Sequence, residues 1–233
     1  MESFVREVML IGEENFSKLR NSKVLIFGVG GVGGYVCEAL ARSGVSHFML
    51  VDHDTVSVSN INRQIIALHS TIGRYKVDVL KERILDINPD CVVEVRKMFY
   101  LPENQDEIDF SQFDYIIDCI DTITAKLNII ERAHKLNIPI ISSMGAGNRL
   151  DPTKIQVCDL FDTSYDALAK VMRRELKKRK IYKCKVVCSK ELARKPLIEI
   201  EDEHRRSTPG SSAFVPSCFG LVIASEVVKD LMK

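Results

Sequence analysis

The sequence predicts an α/β protein built on a doubly wound, Rossmann-like sheet with a C-terminal strand-and-helix extension. Three observations predict it. A glycine-rich run, Gly28-Val29-Gly30-Gly31-Val32-Gly33, lies between a short apolar stretch and a helical pattern. Short apolar stretches then alternate with amphipathic ones through most of the chain. Two of the apolar stretches run out at aspartates, Asp52 and Asp121, where the ligand crevice of such a sheet opens.

The elements follow in order from residue 23. KVLIF at Lys23–Phe27 is β-rich and apolar throughout, the signature of a strand buried on both faces. Residues 35–43 repeat apolar side chains at helical spacing and stop at Gly44. HFMLV at His47–Val51 is a second strand, and a polar run, 54–64, follows it. Residues 76–87 form an amphipathic helix that stops before Pro89. Residues 91–95 and 115–120 are a third and a fourth strand. A helix spans 123–136, and a fifth strand starts at 139–141. This βαβα order predicts parallel strands covered on both faces. Later in the chain come a strand at 154–158, a basic helix at 166–180, a short strand at 185–188, a polar mobile loop at 189–212 and a closing helix at 214–232.

Composition narrows the function classes. The 233 residues are 45% hydrophobic and 28% charged, with a formal net charge of +1, so overall charge does not announce a nucleic-acid binder. The start has no signal-peptide pattern, and no run of about 18 apolar residues occurs anywhere. These features predict a soluble, cytoplasmic protein with no membrane partner. Seven cysteines at irregular spacing, with no CxxC pair, argue against a disulfide framework or a tetra-Cys zinc site. Cys184 and Cys188 stand among Lys183, Lys185 and Lys190, which would lower a thiol pKa, yet their strand setting equally fits buried structural thiols.

The glycine run has the form of a phosphate cradle. Gly28, Gly30, Gly31 and Gly33 permit a tight turn and close approach of backbone N–H groups, and the helix start adds partial positive charge. Asp52, about 20 residues on at the second strand end, can accept hydrogen bonds from ribose hydroxyls. This much fits NAD as well as ATP. The segment from Asp52 to Gln64 decides for a triphosphate. It offers Asp54 and Asn60 with Arg63, and Lys76 and Asp121 follow. Cations for phosphate and a carboxylate for a metal are what departing pyrophosphate needs. Taken singly, Asp54 also suits a turn cap, Lys76 a solvated helix residue and Asp121 an N-cap.

Together these motifs resemble those of the ubiquitin-activating-enzyme-like (ThiF-type) superfamily, over about the first 145 residues. The residues that carry the resemblance are Gly28–Gly33, Asp52-x-Asp54 through Asn60-x-x-Arg63-Gln64, Lys76 and Asp118-Cys-Ile-Asp121. The resemblance implies ATP and Mg2+ as cofactors. Asp52 and Asp54 would serve the ribose side, and Asn60, Arg63, Gln64 and Lys76 would surround the phosphates. Asp121 would hold Mg2+, and Arg63, Lys76 and Asp121 would be catalytic. Arg6, ahead of Gly12, resembles the arginine that reaches the partner's site in dimeric members, which implies a homodimer. Residues 1–145 then form the nucleotide-binding part and 146–233 the substrate-side extension of a single adenylation domain.

The extension resembles the tRNA threonylcarbamoyladenosine dehydratase branch. Its motifs are Gly145-Ala-Gly147, Asp151-Pro-Thr-Lys-Ile155, Asp166-x-Leu168-Ala169 with Arg173, and Phe214-Val-Pro-Ser-Cys-Phe-Gly220, with Ala167 departing from an expected proline. That branch implies a tRNA substrate, and the cations of 168–206 would supply phosphate contacts. Two other readings stay open. One is activation of the C-terminal glycine of a ubiquitin-like sulfur-carrier protein; the other is an NAD(P)-binding oxidoreductase. A sulfur-transfer protein is a further candidate partner.

Overall fold

The computed structural model describes residues 2–198 and 209–233. The chain alternates strands β1 (Lys23–Phe27), β2 (His47–Val51), β3 (Val92–Arg96), β4 (Tyr115–Asp118), β5 (Ile140–Ser143), β6 (Ile155–Asp159) and β7 (Lys185–Ser189) with helices. The helices are α1 (Val5–Asn21), α2 (Gly33–Arg42), α3 (Lys76–Ile87), α4 (Ile123–Lys135), α5 (Ala167–Lys178) and α6 (Val215–Leu231). The strands form one sheet in the order β3-β2-β1-β4-β5-β7-β6. β1 pairs in parallel with both β2 and β4, so the winding reverses between β1 and β4, and a crevice opens at their carboxyl ends.

Period-2 alternation sorts the strand side chains onto two faces. Val24 and Ile26 of β1 face a core shared with α2, α3 and α6, and Leu25 and Phe27 face another shared with α4. All four are fully buried. Each contributes roughly 1.5–3 kcal/mol through removal from water. A third cluster joins α4 to α5 through Leu127, Ile130, Met172 and Leu176.

α6 lies against α2 because Gly220 has no side chain. A Cβ there would sit 2.4 Å from the Val32 carbonyl oxygen. The closing helix therefore backs the glycine loop directly.

Three features differ from the sequence reading. α1 was not expected. It buries only Phe16 and Leu19 and breaks at Gly12 (φ +81°), so it carries little apolar stripe to read. β6 pairs antiparallel to β7, giving a mixed edge to an otherwise parallel sheet. β7 lies between β5 and β6 although it follows both in the chain. Of the expected 189–212 loop, residues 199–208 lie outside the described residues. Among the described residues, no helix is long and apolar enough to cross a membrane.

Candidate nucleotide site

The glycine loop closes because two of its positions exclude side chains. Gly28 leaves β1 at φ +80°, and a Cβ there would meet the Cys119 carbonyl oxygen at 2.9 Å. A Cβ on Gly33 would lie 1.8 Å from the Gly28 carbonyl oxygen. Gly30 and Gly31 have a different role. A Cβ on Gly30 would stand 3.5 Å from Gln64 Nε2, and one on Gly31 would stand 3.5 Å from Arg63 Cγ. Bare backbone thus faces both polar side chains. The first turn of α2 begins at Val32 with no capping side chain, which suits it to an anion.

Asp52, just past β2, ties the loop to the segment after it. Its Oδ2 accepts from Val29 N–H at 2.8 Å and its Oδ1 from Asp54 N–H at 2.9 Å. Asp54 in turn accepts from Lys76 Nζ at 2.6 Å, and the Lys76 side chain is only 7% exposed. Lys76 N–H also donates to the Asp54 carbonyl at 3.0 Å, and a bridge pairs Thr55 with Tyr75. The start of α3 is thereby pinned to the end of β2. His53 Nε2 lies 3.2 Å from Asp54.

Asn60 is buried, and its Oδ1 accepts from Ser57 N–H at 3.1 Å. Its carbonyl accepts from Arg63 N–H at 3.0 Å and Gln64 N–H at 2.9 Å, so Asn60 builds the turn that aims both side chains at the glycines. Arg63 donates from one guanidinium nitrogen to the Ser59 carbonyl at 2.8 Å and Asn62 Oδ1 at 3.0 Å. Gln64 is buried, and its Oε1 has no hydrogen-bond partner among the described residues. A buried, unsatisfied amide oxygen costs about 1–3 kcal/mol, which a bound group would relieve. The glycine cradle fits a phosphate-bearing ligand, while the unmet Gln64 oxygen, an acceptor, calls for a hydrogen-bond donor on that ligand, such as a hydroxyl.

Asp121 is exposed past the end of β4, on the same crevice edge. It is not the N-cap of α4. Thr122 holds that position, without a side-chain capping bond, and its carbonyl accepts from Lys126 N–H at 3.0 Å. An exposed carboxylate beside a phosphate cradle fits Mg2+, a hard cation that takes one or two carboxylates plus phosphate oxygens. Arg6 stands exposed on α1 and is not among the residues gathered here. A cleft of about 400 Å3 between the ends of α1 and α6, lined by Tyr115 and Asp230, lies at the amino ends of the strands and shares no residue with the crevice at their carboxyl ends.

The loops after β5, before α5 and after β7 meet on a buried polar hub that sequence reading missed. Asp166 caps α5 through Ala169 N–H at 2.9 Å, accepts from Gly145 N–H at 3.0 Å and pairs with the buried Arg149 at 3.4 Å. Glu191 is also buried and accepts from Leu150 and Asp151 N–H groups at 3.0 and 2.8 Å. Asn62 Nδ2 donates to the Ser211 carbonyl at 3.0 Å, linking the Arg63 turn to the segment before α6. Asp166 lay inside a recognised motif; Arg149 and Glu191 carried no local signal, because their partners are distant in sequence.

The structure decides between the two readings of Cys184 for the buried thiol: the lysines near it do not activate it, and burial pushes it up to about 12. The basic run is less available than its composition suggests. Arg174, Lys178 and Arg179 engage Glu175, Lys185 engages Asp230 and Glu226, and Arg173 donates to the Thr163 carbonyl at 2.9 Å. Lys170, Lys177, Lys180 and Lys183 remain exposed, while Arg205 and Arg206 lie outside the described residues.

Comparison with known proteins gives a consistent set. A family model described as the ThiF family matches residues 4–233. A Bacillus subtilis protein named tRNA threonylcarbamoyladenosine dehydratase is 44% identical over 100% of this chain and 96% of its own length. Crystal structures of the Escherichia coli tRNA N6-threonylcarbamoyladenosine dehydratase are similar over 99% of this chain and 94% of theirs. The AMP complex has a TM-score of 0.90 at 35% identity, and the ATP complex 0.88 at 34%.

Proposed function

The chain belongs to the ThiF family, and we propose that it is an ATP-dependent tRNA threonylcarbamoyladenosine dehydratase. One observation carries this reading: a chain alike end to end to proteins of that name sets Asp52, Arg63 and Gln64 against a glycine loop, with Lys76 tied to the neighbouring Asp54. Residues 1–145 would bind the nucleotide and 146–233 the tRNA side, within a single domain.

The chemistry follows from the groups present. A carboxylate is a poor electrophile, and ATP supplies it with a leaving group. Backbone N–H groups of the glycine loop, with Arg63 and Lys76, would hold the phosphates and stabilise charge as it moves to the departing group. Asp52 would orient the ribose. Asp121 would hold Mg2+, which neutralises phosphate charge. The nucleophile is a nitrogen or oxygen of the same modified side chain, so ring closure proceeds at high effective molarity with net loss of water. No enzyme thiol is required, in keeping with the burial of Cys184 and Cys188. That same burial weighs against the sulfur-carrier reading, which favours an accessible nucleophilic cysteine.

The test is to incubate the protein with ATP, Mg2+ and tRNA bearing threonylcarbamoyladenosine, then weigh the released nucleoside. Loss of one water is expected. An unchanged nucleoside, with ATP consumed instead on a protein ending in Gly-Gly, would overturn the assignment.

A further inference from the structure

Beneath the crevice, Lys126 of α4 and Asp118 of β4 form an ion pair that water does not reach. Both side chains are fully buried, with Nζ 2.9 Å from Oδ2. Two buried charges persist only when their remaining donors and acceptors are met. Here they are met by β5 and by the turn leading to Asp121. Ser142 Oγ donates to Asp118 Oδ2 at 2.6 Å, and Ile120 N–H donates to Asp118 Oδ1 at 3.3 Å. Lys126 Nζ also donates to the Ile120 carbonyl at 3.0 Å.

The pair therefore grips Ile120 at both ends, by its N–H and by its C=O. That carbonyl belongs to the peptide unit joining Ile120 to Asp121, so an ammonium one helical turn into α4 sets the plane from which Asp121 departs. The same turn is the wall of the glycine loop. Cys119 N–H donates to the Phe27 carbonyl at 2.8 Å. The Cys119 carbonyl oxygen and Ile120 Cγ2 each lie 2.9 Å from where a Gly28 Cβ would be. An apolar pair of similar volume would fill this space at comparable stability. It would not hold the Ile120 carbonyl.

We propose that Lys126 is a positioning residue for carboxylate activation: its buried ammonium fixes the Ile120–Asp121 peptide, and through it both the reach of Asp121 and the seat of the glycine loop. The proposal rests on the nucleotide-site reading above. It places on Lys126 a duty toward Mg·ATP that Lys126 performs without touching it.

Lys126→Met alone strands the Asp118 carboxylate, so the informative variant is the double Asp118→Asn/Lys126→Met, which removes both charges. Ser142→Ala is a milder second arm that loosens Asp118 without stranding a charge. Calorimetric ATP binding with and without Mg2+, the Mg2+ dependence of turnover and the melting temperature are measured for each, beside Asp121→Ala. The double variant is expected to melt within a few degrees of wild type yet bind Mg·ATP more weakly, by on the order of 10- to 100-fold. It should also need more Mg2+ for half-maximal turnover, at an unchanged KM for tRNA. Ser142→Ala should shift the same quantities less. Wild-type Mg·ATP affinity in whichever variant folds overturns the proposal, as does a loss confined to melting temperature. If Asp121→Ala weakens Mg·ATP and the double variant does not, only the positioning role fails. If wild type itself does not bind ATP, the nucleotide-site reading fails first.

Discussion

Asp230 shows how a single carboxylate can organise the amino ends of the strands, remote from the crevice. It accepts from the Tyr115 hydroxyl at 2.8 Å, Lys185 Nζ at 2.5 Å and Lys233 Nζ at 2.8 Å, joining the end of α6 to the starts of β4 and β7. Burial opposes its ionisation, but the hydrogen bonds from Lys185, Lys233 and Tyr115 outweigh it and carry its pKa from 3.8 to about 2. A depressed carboxylate stabilises the fold fully above its unfolded pKa and loses that contribution as pH falls through the folded one. After discounting for residual solvent, Asp230→Asn should cost about 1–2 kcal/mol at neutral pH. Urea unfolding of both proteins from pH 6 downward checks this. The gap between them should be constant above about pH 4 and close as pH approaches 2. A gap that persists at the acid end would assign the loss to packing rather than charge.

At the scale of the element, α5 and the turn after it are where composition and availability part. Their cations read as one basic face, yet Arg173, Arg174, Lys178 and Arg179 are committed to protein oxygens, most of them on Glu175 and Thr163. Contacts to RNA phosphates should therefore come from the exposed Lys170, Lys177 and Lys180, with Tyr182 as the ring closest in sequence for base stacking. Such contacts position without reading sequence. Replacing those three lysines with glutamate should lower tRNA affinity at least tenfold at low salt and flatten the log–log salt dependence by roughly 0.7–0.9 per lost phosphate contact. ATP binding should be unchanged, because α5 contributes no residue to the glycine cradle. Filter binding across a salt series checks both. An unaltered affinity would make this helix a solvated face and place the tRNA elsewhere.

At the scale of the whole molecule, we propose that Arg6 acts in a pair of chains rather than in one. It stands exposed on α1 beside Val5, Met9 and Leu10, the last two each 81% exposed. An arginine among uncovered apolar side chains suits an interface, and a two-fold pair is the commonest homo-oligomer. If Arg6 completes the neighbour's site, Arg6→Ala and Lys76→Ala subunits, each inactive alone, should regain activity on mixing. Random exchange leaves about half the dimers mixed, each with one intact site, so recovery of up to about a quarter of wild-type ATP turnover is expected. No recovery in subunits shown to exchange would place Arg6 in its own chain's site or outside catalysis.

Much of this molecule is written in short-range spacing. Strands β1 and β2, helix α3 and the glycine loop are legible because apolar period, glycine placement and helix stops act within a few residues. Asp52 and Asp121 are legible as candidates because ligand crevices open at the carboxyl ends of parallel strands; Asn60, Arg63, Gln64 and Lys76 are legible through the resemblance their motifs carry. Tertiary structure decided what those signals could not contain. It made β6 antiparallel, set Glu175 and Asp230 against the lysines, buried the thiol of Cys184, and brought Lys126, Asp118 and Ser142 together from three elements. Backbone preference is a property of a residue and its neighbours in the chain. Burial, charge pairing and the direction in which a carboxylate points are properties of segments far apart in sequence, and they exist only once those segments pack.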